Sequence, residues 1–192
     1  MQHHFFAYLS RMSLIKRWSL MRCFREENLA EHTLEVVQIA QALAIIGNTY
    51  FEQQNDVGLA VQLALMHDAP EVLTGDLPTP VKYFNPRIHS AYQEIEQVAE
   101  EKLLSYLPDE LAEAYRPLLQ PADSPELRLV KAADKISAHL KCLGESYAGN
   151  SDFRIAEQAT LKAVEKYYDL PQVVWFMEHC LESYSRTLDE LD

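Results

Sequence analysis

The stretch Ala64-Leu-Met-His-Asp-Ala-Pro-Glu-Val-Leu-Thr-Gly-Asp-Leu-Pro-Thr-Pro-Val-Lys82 largely decides the fold. An apolar run ends in the pair His67-Asp68, and Glu71, Asp76 and several prolines follow. Counting back three, four and seven residues from either member of the pair reaches only apolar residues. The pair therefore continues the apolar stripe of a predicted helix, and titratable groups collect where that helix meets a stiff loop.

Two other polar residues lie on apolar stripes. His32 is followed by apolar residues at i+4, i+7 and i+11, and Asp134 is flanked by apolar residues at i−7, i−4 and i+4. Burying an ionised carboxylate away from water without a partner destabilises the folded state by roughly several kcal/mol. A divalent cation bound by both carboxylates and both imidazoles would account for all four residues. We therefore predict a shared metal site formed by His32, His67, Asp68 and Asp134.

Each of these residues also has a simpler interpretation. A single inward histidine is usually a hydrogen-bonded core residue. Asp68 and Glu71 have the spacing of a capping box that would start a short helix. Asp134 could pair with Lys131, with Arg128 or with the basic N-terminal segment. The simpler interpretations require four coincidences together, so the shared metal is favoured.

Helical periodicity recurs along the chain, and most of the nine prolines fall between periodic segments. We predict one all-α domain spanning residues 1–192, with about eight to ten helices. Four of the helices are expected over 86–106, 109–119, 151–168 and 171–190. P-loop, dinucleotide-binding, zincin and serine-hydrolase motifs are absent from the sequence.

Composition bounds the partners and the compartment. The 192 residues carry a net charge of −12, with a pI near 5.0. Such a surface repels polyanions, so we expect neither a nucleic acid polymer nor a membrane as partner. The sequence contains no uninterrupted run of eighteen apolar residues, so we expect no membrane span. Three scattered cysteines, interpreted as small core residues, indicate a reducing cytoplasm.

Two flanking segments could complete a site. Arg17-Trp18 lies in a basic N-terminal segment and offers a guanidinium for phosphate and a ring for a sugar or base. From the residues alone, a core Trp18 and a solvated Arg17 are the better interpretation. The loop Gly75–Pro80 would hold Asp76 and Thr79 rigidly near His67, although an ordinary capped turn is equally compatible.

Taken together, these motifs resemble one known family. His32, the His67-Asp68 pair and Asp134, with Ile15-Lys-Arg-Trp18 and the whole quoted stretch, are similar to bacterial HD-domain 5′-deoxynucleotidases. These belong to the HD superfamily of metal-dependent phosphohydrolases. The likeness runs from the start of the chain to at least Cys142. It implies an HD-domain helical bundle and a homodimer. The implied reaction hydrolyses deoxyribonucleoside 5′-monophosphates to deoxynucleoside and phosphate, selectively for the 2′-deoxy sugar and with broad base tolerance.

The resemblance also implies residue roles. His32, His67, Asp68 and Asp134 would hold a divalent cation such as cobalt, manganese or zinc. Asp68, Arg17 and Glu71 would be catalytic, with Arg17 orienting the phosphate and Glu71 acting as acid or base. The residues implied to contact substrate are Arg17, Trp18, His32, Asp68, Asp76, Leu77, Pro78, Thr79 and Asp134. Trp18 would contact the sugar, and Asp76 would accept a hydrogen bond from a sugar hydroxyl.

Two alternatives remain open at this point. One is an HD hydrolase acting on another phosphate ester, such as a nucleoside triphosphate, a cyclic nucleotide or an alarmone. The short chain and its single basic segment provide few cations for a triphosphate. The other is a catalytically inert helical scaffold, which the capping-box interpretation of Asp68 and Glu71 would allow.

Overall fold

The computed structural model describes residues 3–82 and 84–192, and within them the fold is helical. Ten α-helices occur there: α1 Phe5–Leu9, α2 Leu29–Tyr50, α3 Val57–Met66, α4 Glu71–Thr74, α5 Thr79–Lys82, α6 Pro86–Leu104, α7 Asp109–Leu119, α8 Pro125–Tyr147, α9 Arg154–Glu165 and α10 Pro171–His179. Short 3₁₀ segments cover Ser10–Leu14, Ser151–Phe153, Leu181–Ser185 and Leu188–Glu190. Extended pairing among the described residues is confined to one antiparallel bridge, Lys16 with Asn28. The predicted all-α class is confirmed.

The chain divides into two compact units. The first comprises Met1–Leu20, Glu26–Leu34 and Leu65–Ala122. Its core contains Phe5, Met66, Leu103 and Leu119, with the Tyr115 ring edge-on to Phe5 at 4.9 Å between centroids. The prediction of one domain over 1–192 stays a prediction.

The second unit comprises Met21–Arg25, Glu35–Ala64 and Asp123–Asp192, and α8 packs against α9 within it. Ser124 caps α8 by accepting a hydrogen bond from the Leu127 amide at 3.0 Å, and Pro125 occupies the first turn. The face of α8 that includes Ala132 and Ile136 is buried.

The predicted helix over 171–190 is wrong beyond its first half. Helix α10 ends at His179, and 3₁₀ turns follow. Ser185 donates its hydroxyl to the Glu182 carbonyl at 2.6 Å, a local bond that competes with helix continuation. The other predicted helices agree to within a few residues. The core interpretation of the cysteines holds for Cys142 and is wrong for Cys23 and Cys180, which are half-buried.

Helix α2 is long and apolar enough to cross a membrane. Half of its most apolar stretch is buried inside the protein, and the core helix of a soluble protein has the same length and composition, so these properties are weak evidence for a membrane.

Candidate active site

The start of α2 fixes the position of His32. The Asn28 side-chain oxygen accepts a hydrogen bond from the backbone amide of Glu31 at 3.0 Å. In return, the Glu31 carboxylate accepts one from the backbone amide of Asn28 at 3.1 Å. This reciprocal cap begins the helix at Leu29 and places His32 in its first turns. His32 is 1% exposed, as the apolar stripe predicted.

His67 and Asp68 lie in the turn that ends α3. The Ala69 amide donates to the Met66 carbonyl at 3.1 Å, and the Glu71 amide donates to the Asp68 carbonyl at 3.0 Å. Helix α4 then begins at Glu71, with Pro70 at the N-cap and no side-chain cap. The capping box of Asp68 and Glu71 is therefore not formed. The Asp68 carboxylate instead lies near Arg17, His32 and His67.

Three cationic or imidazole groups converge on one oxygen of Asp68. Asp68 Oδ2 lies 3.1 Å from His67 Nε2 and 3.5 Å from His32 Nε2. Arg17 Nη1 lies 3.6 Å from the same oxygen. The donor atoms of His32, His67 and Asp68 all fall within 4.8 Å of one another. Two imidazole nitrogens and a carboxylate oxygen suit zinc, cobalt or manganese, so these residues fit a divalent cation.

Arg17 is held in this cluster rather than solvated. Its Nε donates to Glu27 Oε1 at 2.8 Å, and its side chain is only 11% exposed. Trp18 is half-buried and adopts a left-handed backbone conformation, with φ of 57°. Such strain in a bulky residue costs about 1–3 kcal/mol and is typical of functional sites. The solvated-Arg17 and core-Trp18 interpretations are both wrong.

Glu71 is buried, and its environment favours the protonated form. Burial first, then the negative charges of Asp68 and Asp76, raise its pKa to about 9 in the metal-free site. Among the described residues, Glu71 Oε2 has no hydrogen-bond partner. A carboxyl group in this state can donate a proton near neutral pH.

The loop after α4 is shorter than expected, because helix α5 already begins at Thr79. Gly75 turns the chain with φ of 73°, a conformation that favours glycine. Asp76, Leu77 and Pro78 follow and are half-buried. Burial raises the pKa of Asp76, and the charge of Arg17 opposes the rise. The Thr79 side chain lies outside the described part of the structure.

Asp134 lies on α8, in the second compact unit. Lys135 Nζ is 2.6 Å from its Oδ2. That neighbour differs from Lys131, Arg128 and the basic segment, the partners considered from the sequence. Its assignment as the fourth metal ligand stays a prediction.

Glu27 contacts this cluster and was not predicted. The available signal was weak: Glu26 and Glu27 are the first acids in the chain and stand ten residues after Lys16 and Arg17. Nothing in the sequence alone indicated that these two segments pair.

Comparison with known proteins places the chain in a family. The family described as 5′-deoxynucleotidase YfbR-like matches residues 4–184. A 5′-deoxynucleotidase of Shewanella oneidensis is 46% identical over 191 residues, covering 98% of this chain and 97% of that protein.

Solved structures show the same fold. An HD-domain phosphohydrolase from Listeria innocua has a TM-score of 0.81 at 24% identity, covering 94% of this chain and 88% of that one. The cyanophage S-2L HD phosphohydrolase DatZ, bound to dA and one catalytic Zn²⁺ ion, has a TM-score of 0.69 at 21% identity, covering 95% and 99%.

The family assignment removes the support for an inert scaffold and agrees with the predicted divalent-metal dependence, for which His32, His67 and Asp68 supply suitable donors. The chain therefore belongs to the YfbR-like 5′-deoxynucleotidase family, whose reaction is the hydrolysis of a phosphoric monoester.

Proposed function

We propose that this protein hydrolyses deoxyribonucleoside 5′-monophosphates to deoxynucleoside and phosphate at the cluster around Asp68. The observation that carries the proposal is the convergence of His32, His67 and Arg17 on Asp68 Oδ2, beside a buried Glu71. These five residues lie in one compact unit, where they would supply metal donors, a phosphate-binding cation and a proton donor.

His32, His67, Asp68 and Asp134 would hold the divalent cation. When bound, that ion would acidify a water molecule and neutralise charge on a phosphate oxygen. The DatZ structure, which contains dA and one catalytic Zn²⁺ ion, supports a deoxynucleoside ligand and a divalent metal ion at this site.

Arg17 would bind the phosphate. Its guanidinium presents several N–H groups in a fixed plane, which suits the oxygens of a phosphomonoester. Its pairing with Glu27 leaves the Nη1 side near Asp68, where the phosphate would lie. A preorganised cation of this kind balances the charge that builds up as the ester bond breaks.

Glu71 would act as the general acid. The sequence left the choice between acid and base open. Burial and the negative charges of Asp68 and Asp76 raise the pKa of Glu71 to about 9 in the metal-free site, and this environment supports the acid. The carboxyl proton would pass to the 5′-oxygen as the deoxynucleoside leaves.

Trp18 and the loop residues Asp76, Leu77, Pro78 and Thr79 would recognise the nucleoside. A ring at Trp18 would pack against a sugar without a 2′-hydroxyl, and the Asp76 carboxyl would accept a hydrogen bond from a sugar hydroxyl. Contacts that read the sugar and leave the base edges unread would give broad base tolerance. The proposed assembly is a homodimer, as the resemblance implied, and the proposed compartment is the cytoplasm, as the cysteines indicated.

Sugar selectivity tests these assignments. In Trp18→Ala and Asp76→Ala, the ratio of kcat/KM for dAMP over AMP is expected to fall about tenfold, because discrimination depends on contacts to the sugar. Steady-state phosphate release from both nucleotides measures this ratio.

The matched control is the other tryptophan of the chain. Trp175 lies in the second unit and stacks on Tyr50 and His179. Trp175→Ala should leave the ratio unchanged. A wild-type ratio in both Trp18→Ala and Asp76→Ala would remove these residues from the account of sugar recognition.

A further inference from the structure

Two short segments, around Lys16 and around Asn28, form a small antiparallel ribbon. The Arg17 amide donates to the Glu27 carbonyl at 3.0 Å, and the Leu29 amide donates to the Ile15 carbonyl at 2.9 Å. Successive residues of an extended segment point to opposite faces. The ribbon therefore places Arg17 and Glu27 together on one face and their neighbours on the other.

Two ion pairs join the segments, and they differ in how far they are exposed to solvent. Lys16 Nζ lies 2.7 Å from Glu26 Oε1, with side chains 65% and 73% exposed. Arg17 Nε lies 2.8 Å from Glu27 Oε1, with side chains 11% and 14% exposed. An exposed pair contributes little to stability or geometry. A largely buried pair fixes its members, because breaking it leaves a charge uncompensated.

The Glu27 carboxylate holds one defined edge of Arg17. Oε1 accepts from Nε, while Nη1 of the same guanidinium lies 3.6 Å from Asp68 Oδ2. A guanidinium is planar and rigid, so fixing its Nε edge sets the direction of its terminal nitrogens. Glu27 Oε1 also lies 3.8 Å from His32 Nδ1, which places the carboxylate at the border of the candidate metal donors.

We propose that Glu27 is a positioning residue of this site, whose carboxylate aims Arg17 at the phosphate of the substrate. The proposal rests on the role proposed above for Arg17. Glu27 acts on the phosphate through the arginine, to which it is held twice, by backbone and by side chain.

The test compares Glu27→Ala, Glu27→Gln and Glu26→Ala. Glu27→Ala is expected to lower kcat/KM for dAMP about 10²-fold, the usual effect of misplacing a substrate-orienting group by about 1 Å. Glu27→Gln keeps an oxygen acceptor for Nε and should recover most of that loss. Glu26→Ala, which removes the exposed acid next in sequence, should leave kcat/KM unchanged.

A second readout separates positioning from general damage to the fold. In calorimetric titrations of the metal-loaded protein, Glu27→Ala should weaken the binding of inorganic phosphate at least about tenfold, because the arginine no longer points at the anion. The affinity for deoxyadenosine should not change. Equal weakening for both ligands would show a structural role and overturn the proposal.

A double-mutant cycle completes the test. If Glu27 acts through Arg17, then Arg17→Ala with Glu27→Ala should be no slower than Arg17→Ala alone. Additive losses, or wild-type kinetics in Glu27→Ala, would overturn the proposal. A wild-type protein without activity on dAMP would instead contradict the proposed function, and phosphate titration would still report on the Glu27–Arg17 pair.

Discussion

Replacing Glu71 by glutamine is expected to remove most of the turnover and, at the same time, to stabilise the metal-free protein. Loss of a general acid lowers kcat by about 10²- to 10⁴-fold. Glutamine has nearly the same shape as glutamate and cannot donate the proton that the leaving 5′-oxygen needs. Phosphate release from dAMP at neutral pH measures the first effect.

The gain in stability follows from the pKa of Glu71. Its pKa is about 9 in the folded, metal-free protein, against 4.5 for an ordinary glutamate. Between these values the folded state retains a proton that the unfolded state has released, so the free energy of unfolding falls as pH rises through that window. At about 1.4 kcal/mol per pH unit, the difference reaches at most about 3 kcal/mol at pH 7.

Urea unfolding of chelated wild-type and Glu71→Gln protein between pH 5 and 9 measures this effect. The stability advantage of the variant should be small at pH 5 and should grow with pH. Glu101→Gln is the control, because Glu101 is exposed and its hydrogen bond to Arg116 lowers its pKa, so neutralising it should bring no gain. A pH-independent difference for Glu71→Gln would contradict the buried, protonated state.

The second large effect is expected for Asp68→Ala. This change removes the oxygen on which His32, His67 and Arg17 converge and leaves those groups without a shared carboxylate. Turnover should fall at least about 10³-fold, since both the metal donor and the charge balance of the site are lost. Helix content should stay near the wild-type value, because Asp68 lies in a turn and does not cap α4.

Metal content after dialysis, circular dichroism and phosphate release measure this prediction together. Asp56 is a matched control at the other end of α3, where its carboxylate accepts from the Leu59 amide at 2.9 Å. Asp56→Ala should lower stability by about 1 kcal/mol through the lost helix cap and leave metal content intact. Full metal occupancy and wild-type turnover in Asp68→Ala would remove Asp68 from the site.

The sequence predicted the helices and the inward position of His32 because both depend on local periodicity. The buried positions Val36, Ile39 and Leu43 repeat every three or four residues, and His32 lies on the same stripe. That register is visible without any knowledge of the tertiary packing.

Other features could not be predicted from local periodicity. Asp68 and Glu71 fit a capping box by spacing, and only the start of α4 after Pro70 shows that no such box forms. Glu27 was missed because its pairing with Arg17 depends on a ribbon between segments ten residues apart. The burial that raises the pKa of Glu71 likewise comes from tertiary packing.

Metal-dependent 5′-deoxynucleotidase activity is tested by phosphate release from dAMP and AMP side by side, after chelation and re-addition of cobalt, manganese, zinc or magnesium. We expect no release from the chelated protein and metal-restored release from dAMP well above that from AMP. Release from neither nucleotide with any of these metals, or equal release after chelation, would contradict the account.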